Sequence, residues 1–74
     1  MEVEVTLYSH LQDNRFSMAT LNLAEPASID TLLQHLTIEQ HEVGSVYVNG
    51  KTSTFSHPLV TGDRVTLLPM IGGG

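Results

Sequence analysis

The chain has 74 residues, eight acids against three bases for a net charge of −5, and no cysteine. That length holds one small domain, and without cysteine there is neither a disulfide framework nor a thiolate metal site. Arg15, Lys51 and Arg64 are too few and too scattered to neutralise a phosphate backbone, so nucleic acid is not an expected partner.

The apolar runs are only a few residues long, so no membrane span is expected. The start, Met1-Glu2-Val3-Glu4-Val5, has neither the basic nor the long apolar region of a signal peptide, and a cytoplasmic location is expected. A basic surface on a protein partner suits the acidic balance, because complementary charge speeds encounter.

Residues 2–8 alternate, with Val3, Val5 and Leu7 on one face and Glu2, Glu4, Thr6 and Tyr8 on the other, which is the period of a half-buried strand. Residues 9–15 are polar and read as a loop with a turn at Asp13-Asn14. Residues 17–23 alternate again, with Ala19, Leu21 and Leu23 inward, so the two runs predict an antiparallel hairpin. Glu25-Pro26-Ala27 breaks the strand, and Ser28 is a suitable helix N-cap with Asp30 in the first turn. Ile29, Leu32, Leu33 and Leu36 then form one apolar stripe on a helix of roughly two to three turns.

Residues 37–44 read as a connection anchored by Ile38 and Val43. Val46-Tyr47-Val48 is a short strand, and Asn49-Gly50 is the strongest turn signal in the chain. Residues 51–55 are expected to return as a short edge strand, and Leu59 to plug the space under a loop. Gly62-Asp63 turns the chain into a last strand over residues 64–68, where Val65 and Leu67 should face the helix and Thr66 and Leu68 the other way. Asp63 is expected to be a turn residue that bonds nearby backbone.

One helix must then cover one face of a mixed sheet, with the last strand beside the first. The expected fold is α+β: a ubiquitin-like β-grasp with a four- to five-stranded sheet. Residues 1–71 would form the domain and residues 72–74 a flexible C-terminal glycine tail.

That tail carries the functional signal. Pro69-Met70-Ile71 leads into Gly72, Gly73 and Gly74. Glycine has no Cβ, so the tail can enter a channel too narrow for side chains. Its one reactive group is the terminal carboxylate of Gly74, a poor electrophile until activated, for example as a mixed anhydride with a nucleotide phosphate. The tail reads as a substrate for another enzyme. Tyr8, Leu68, Met70, Ile71 and Gly72 are the candidate partner-binding residues beside it. His10, His35, His41 and His57 lack the i, i+4 spacing of a helical zinc site, so no metal is expected.

The chain resembles the MoaD/ThiS family of small sulfur carriers. Val48-Asn49-Gly50, then Leu59 followed by Gly62-Asp63, then a last strand ending in glycines carry the likeness, in the family's order. The single proline before Met70-Ile71 departs from the Pro-Pro-Val of many MoaD tails, and the triple glycine is more like some ThiS tails, so the sub-family stays open.

The resemblance implies a carrier and not an enzyme, either free or as the small subunit of a synthase complex. A ubiquitin-activating-type enzyme would adenylate Gly74, using ATP that the carrier itself does not bind; no bound cofactor is expected. The resulting thiocarboxylate would give sulfur to the molybdopterin synthase large subunit or to thiazole synthase. The alternatives are a ubiquitin-like modifier conjugated through Gly74 and a plain β-grasp interaction module.

Overall fold

The computed structural model describes residues 1–71. Gly72, Gly73 and Gly74, and with them the expected flexible tail, lie outside the described residues.

Strand β1 (Glu2–Leu7) buries Val3, Val5 and Leu7. It pairs antiparallel with β2 (Met18–Asn22), with Val5 opposite Ala19. The hairpin is the expected one, but residues 9–15 are more than a polar loop. Ser9–Gln12 is a 3-10 helix, and it carries Leu11 fully into the core. A single apolar residue in a four-residue turn has no periodicity from which burial can be read.

Arg15 ties this turn to the rest of the fold. Its guanidinium donates from Nε to the Leu36 carbonyl at 2.9 Å, from Nη1 to the Leu11 carbonyl at 3.0 Å and from Nη2 to the Thr37 carbonyl at 3.1 Å. Leu36 and Thr37 end helix α1 (Ile29–Leu36), where carbonyls lack helical partners and the dipole is negative. Arg15→Ala is expected to cost about 2 kcal/mol, the scale of hydrogen bonds to a charged group. Arg15→Lys should recover only part of that, since one ammonium cannot span three carbonyls in the same fork. The shift of the urea midpoint at constant slope measures both.

Helix α1 begins as its sequence dictates. The Ser28 hydroxyl accepts from the Thr31 amide, and the Ser28 amide donates back to the Thr31 hydroxyl. Ile29, Leu32 and Leu33 are buried against the sheet and Leu36 is half-buried. Thr37 stops the helix in the left-handed region at φ 59°, and Ile38 turns back into the core.

Strand β3 runs Val43–Val48, three residues earlier than the Val46 start read from its apolar triplet. The exposed Gly44 and half-buried Ser45 hide the first part of its alternation. Asn49 and Gly50 both have positive φ, 53° and 82°, as a tight hairpin turn requires. The return strand β4 is only Lys51–Thr52, not the whole of residues 51–55. Both its side chains are exposed, so no burial extends the pairing; Phe55 instead packs half-buried against the core.

Strand β5 (Arg64–Pro69) is central, parallel to β1 and antiparallel to β3. The sheet has five strands in the order β2-β1-β5-β3-β4. Val65 and Leu67 lie in the core with Leu59, as expected. Thr66 and Leu68 lie on the face away from the helix, but Leu68 is half-buried and does not point freely to solvent. A central strand has neighbours on both sides, and their side chains shade its outer face. The strand also runs one residue further than expected, to a buried Pro69.

Candidate functional site: the exit of the C-terminal strand

The site is built by whatever fixes the two ends of β5. At its start, the two sequence motifs prove to be one structure. Asp63 is only 6% exposed. Its carboxylate accepts from the Val60 amide at 2.9 Å, the turn bond expected of it, and also from the Asn49 side-chain amide at 2.9 Å. Asn49 in turn accepts from the Arg64 backbone amide through Oδ1 at 2.9 Å, and the Asn49 backbone amide donates to the Arg64 carbonyl at 2.7 Å. The Asn-Gly turn and the Gly-Asp turn therefore clamp each other, and the clamp sets where β5 begins. No sequence pattern shows that residues fourteen apart share a bond.

The far end is set by Gly44. Val43 lies opposite Pro69 and Ser45 opposite Leu68, so Gly44 is the extra residue of a bulge. A Cβ on Gly44 would stand 2.7 Å from the Pro69 carbonyl oxygen and 3.0 Å from the Met70 Cα. The departing chain thus crosses directly over a residue with no side chain. The Met70 amide donates to the Glu42 carbonyl at 2.9 Å, the last backbone bond among the described residues. Ile71 follows, 83% exposed.

The candidate docking residues fall around this exit. Tyr8 is 48% and Met70 57% exposed. The Tyr8 amide donates to the Leu67 carbonyl, which seats Tyr8 alongside the end of β5 near Leu68. Gly72, Gly73 and Gly74 are outside the described residues.

Sequence reasoning missed two members of the face away from the helix. Register places Met18 beside Thr6, Thr6 beside Thr66, and Thr66 beside Tyr47, one row across four strands. Met18 is 60% exposed and Tyr47 half-buried. Alternation within a single strand does not show the pairing that brings them together.

At the clamp end Glu4 lies opposite Arg64, so both signs of charge meet there. Arg64 and Lys51 stand at the clamp end, and Arg15 is held by carbonyls. Glu39 and Glu42 flank the exit through the Glu42–Met70 bond. Among the described residues no three His, Cys, Asp or Glu stand close enough to hold a metal ion. No helix among them is long and apolar enough to cross a membrane.

A five-stranded mixed sheet in this order, with one α-helix on one face and the last strand at its centre, is a ubiquitin-like β-grasp domain. The family model described as the ThiS family matches residues 5–74, and the chain belongs to that family.

Solved structures agree on the fold. SAMP1 from Haloferax volcanii superposes with a TM-score of 0.74 at 19% identity, covering 100% of both chains. The Haloferax volcanii HVO 2177 protein gives 0.79 at 22% identity, covering 100% of this chain and 87% of that one. A chain of the complex of subunits 1 and 2 of the molybdopterin-converting factor from Helicobacter pylori gives 0.63 at 23% identity, with 100% of both covered. A sequence comparison with curated proteins finds no match.

Proposed function

We propose that this chain is a sulfur carrier whose C-terminal carboxylate is the reacting group. The observation that carries the reading is the exit: a central strand, registered at one end by the Asn49–Asp63 clamp and at the other by Gly44 and Glu42, feeds directly into Gly72, Gly73 and Gly74. Membership of the ThiS family supports it.

In the proposed cycle, a ubiquitin-activating-type partner enzyme supplies the nucleotide site. A Gly74 carboxylate oxygen attacks the α-phosphorus of ATP and expels pyrophosphate. Hydrosulfide then attacks the acyl carbon and expels AMP, and loss of its proton leaves a thiocarboxylate. The sulfur sits on backbone carbon, which is how a chain without cysteine carries it. The acceptor is a synthase of molybdopterin or thiamin-thiazole biosynthesis; the two-subunit complex among the structural neighbours supports a large-subunit partner of the first kind.

The test is incubation with such an enzyme, ATP and a sulfur donor, followed by electrophoresis in a gel containing an organomercurial. A thiocarboxylate binds mercury and is retarded. A ladder of higher-mass conjugates to lysines would instead favour the modifier reading, which draws support from the likeness to a small archaeal modifier protein.

Docking is assigned to the face away from the helix, beside the exit. Leu68→Glu is expected to weaken binding to the adenylating enzyme by about 2 kcal/mol, the scale of an interface hot spot. Because Leu68 is half-buried, thermal stability should also fall modestly. Met18→Glu, on the same face but 60% exposed, should leave melting unchanged and so separates binding from folding. Calorimetric titration beside thermal melting reads both. Unchanged affinity in both variants would move the interface elsewhere.

A further inference from the structure

The two edges of the sheet are built differently. β4, at one edge, is two residues long and carries Lys51. Shortness and a lysine are common means of keeping an edge from pairing with another chain. β2, at the other edge, is five residues long and pairs with β1 in unbroken register. From Phe16 to Ala24 no residue is charged and none is proline. This edge has none of those protections.

The bonds at the two ends of the β1–β2 ladder fix which residues of β2 are open. The Leu7 amide donates to the Ser17 carbonyl at 2.8 Å, and the Leu23 amide donates to the Met1 carbonyl at 2.8 Å. Bonded and non-bonded pairs alternate along an antiparallel ladder. Between those ends, Ala19 and Leu21 therefore turn their backbone groups toward β1, while Met18, Thr20 and Asn22 turn theirs outward. No strand lies beyond them among the described residues. Their side chains are exposed on the face away from the helix; Ala19 and Leu21, on the helix side, are only half-buried.

We infer that β2 is an interface between two copies of this chain, paired antiparallel in a register centred on Thr20. The strand complements itself. Met18 of one copy lies opposite Asn22 of the other, and Thr20 opposite Thr20, so each open residue exchanges both its backbone bonds. A Thr–Thr pair across strands is favourable. On the helix side Ala19 comes opposite Leu21, and each covers apolar surface that the single copy leaves half-exposed.

Charge favours a second copy at this edge. A net charge of −5 makes copies repel elsewhere, and β2 itself offers no acid to a basic partner strand. Glu2 and Glu4 lie one strand further in. In the pair they stand about three strand spacings from their counterparts, roughly 14 Å, beyond the screening length of about 8 Å at physiological salt. Five residues a side fall short of the roughly 20–30 of a standard interface, so the association is weak and concentration-dependent. The pairing also sets the two β5 strands antiparallel, with β1 between each and the interface, so the two exits lie at opposite ends of the joined sheet.

The experiment is sedimentation of the full chain from micromolar to millimolar concentration, which should show a monomer–dimer equilibrium. Thr20→Lys sets two lysines face to face at the centre and should raise the dissociation constant about tenfold. Within each copy that lysine stands opposite Glu4, so the melting temperature should not fall. Thr20→Glu should weaken pairing likewise and, facing Glu4, should melt slightly lower. An equal mixture of the two variants should associate at least as tightly as the wild type. Amide hydrogen exchange at Met18, Thr20 and Asn22 should slow as concentration rises, while Ala19 and Leu21, already bonded to β1, should not change.

A chain that stays monomeric through the millimolar range would overturn the inference. So would a dimer that Thr20→Lys leaves intact, a mixture that associates no better than either variant alone, or new protection that falls on β3 or β4 instead.

Discussion

Deletion of Gly73 and Gly74 is expected to abolish ATP–pyrophosphate exchange by the adenylating enzyme and to leave the melting temperature unchanged. The reasons are separable. The fold is complete without these residues: the core runs from Val3 to Leu67, Pro69 is buried, and the bond from Met70 to Glu42 precedes the glycines. Two glycines bring no side chain to bury, so their loss removes no transfer free energy. The chemistry, by contrast, depends wholly on reach. Two residues of extended chain span roughly 7 Å, and a carboxylate withdrawn that far cannot meet the α-phosphate in an attack geometry near 3 Å. The expected loss is therefore of turnover itself, not a graded change in KM. Ile71 and Gly72 would leave a carboxylate of the same chemical type, so the comparison isolates position. Unchanged exchange by the truncated chain would remove the tail from the mechanism.

Gly44→Ala carries the second large effect. The new Cβ meets the Pro69 carbonyl oxygen at 2.7 Å and the Met70 Cα at 3.0 Å. Both are backbone atoms, so neither can rotate away as a flexible side-chain tip would. Either the bulge opens or β5 shifts at its end. Forced overpacking costs typically 1–3 kcal/mol, and about 2 kcal/mol is expected here. For a domain of this size that lowers the melting temperature by roughly 8–16 °C, at about 4–8 °C per kcal/mol. The diagnostic readout is local: the Met70 and Ile71 amide resonances should move more than those of β1 and β2. Exchange, assayed well below both melting temperatures, should fall in kcat/KM because the tail leaves in a different direction. An unchanged melt and unmoved Met70 amide would mean that Gly44 does not set the exit.

These two predictions mark what the sequence does and does not make legible. Alternation in residues 2–8 and 64–68, one helical stripe and an Asn-Gly turn suffice for the β-grasp, because each pattern matches one buried face. The final glycines make a reactive terminus the expected reading, because only backbone chemistry is left to them. What escaped depends on contacts between distant residues or on side chains that are absent. Leu11 is buried by a short 3-10 turn without periodicity. Arg15 looks like a stray surface cation until three carbonyls gather around it. Asn49 and Asp63 each read correctly as turn residues, yet their mutual bond belongs to the packed fold. Gly44 reads as the end of a connection, whereas its place in the fold lets Pro69 and Met70 pass. Alternation assigns Leu68 to the correct face but cannot say how far a central strand is shaded by its neighbours.

The central claim is that the Gly74 carboxylate is the reacting group and becomes a thiocarboxylate. Intact-mass spectrometry of the chain after incubation with the adenylating enzyme, ATP and a sulfur donor tests it most directly, with tandem fragmentation to locate any change. The account predicts a mass gain equal to one oxygen exchanged for one sulfur, confined to the fragment that contains Gly74. An unaltered mass after adenylation has turned over, or sulfur found on any other residue, would contradict it.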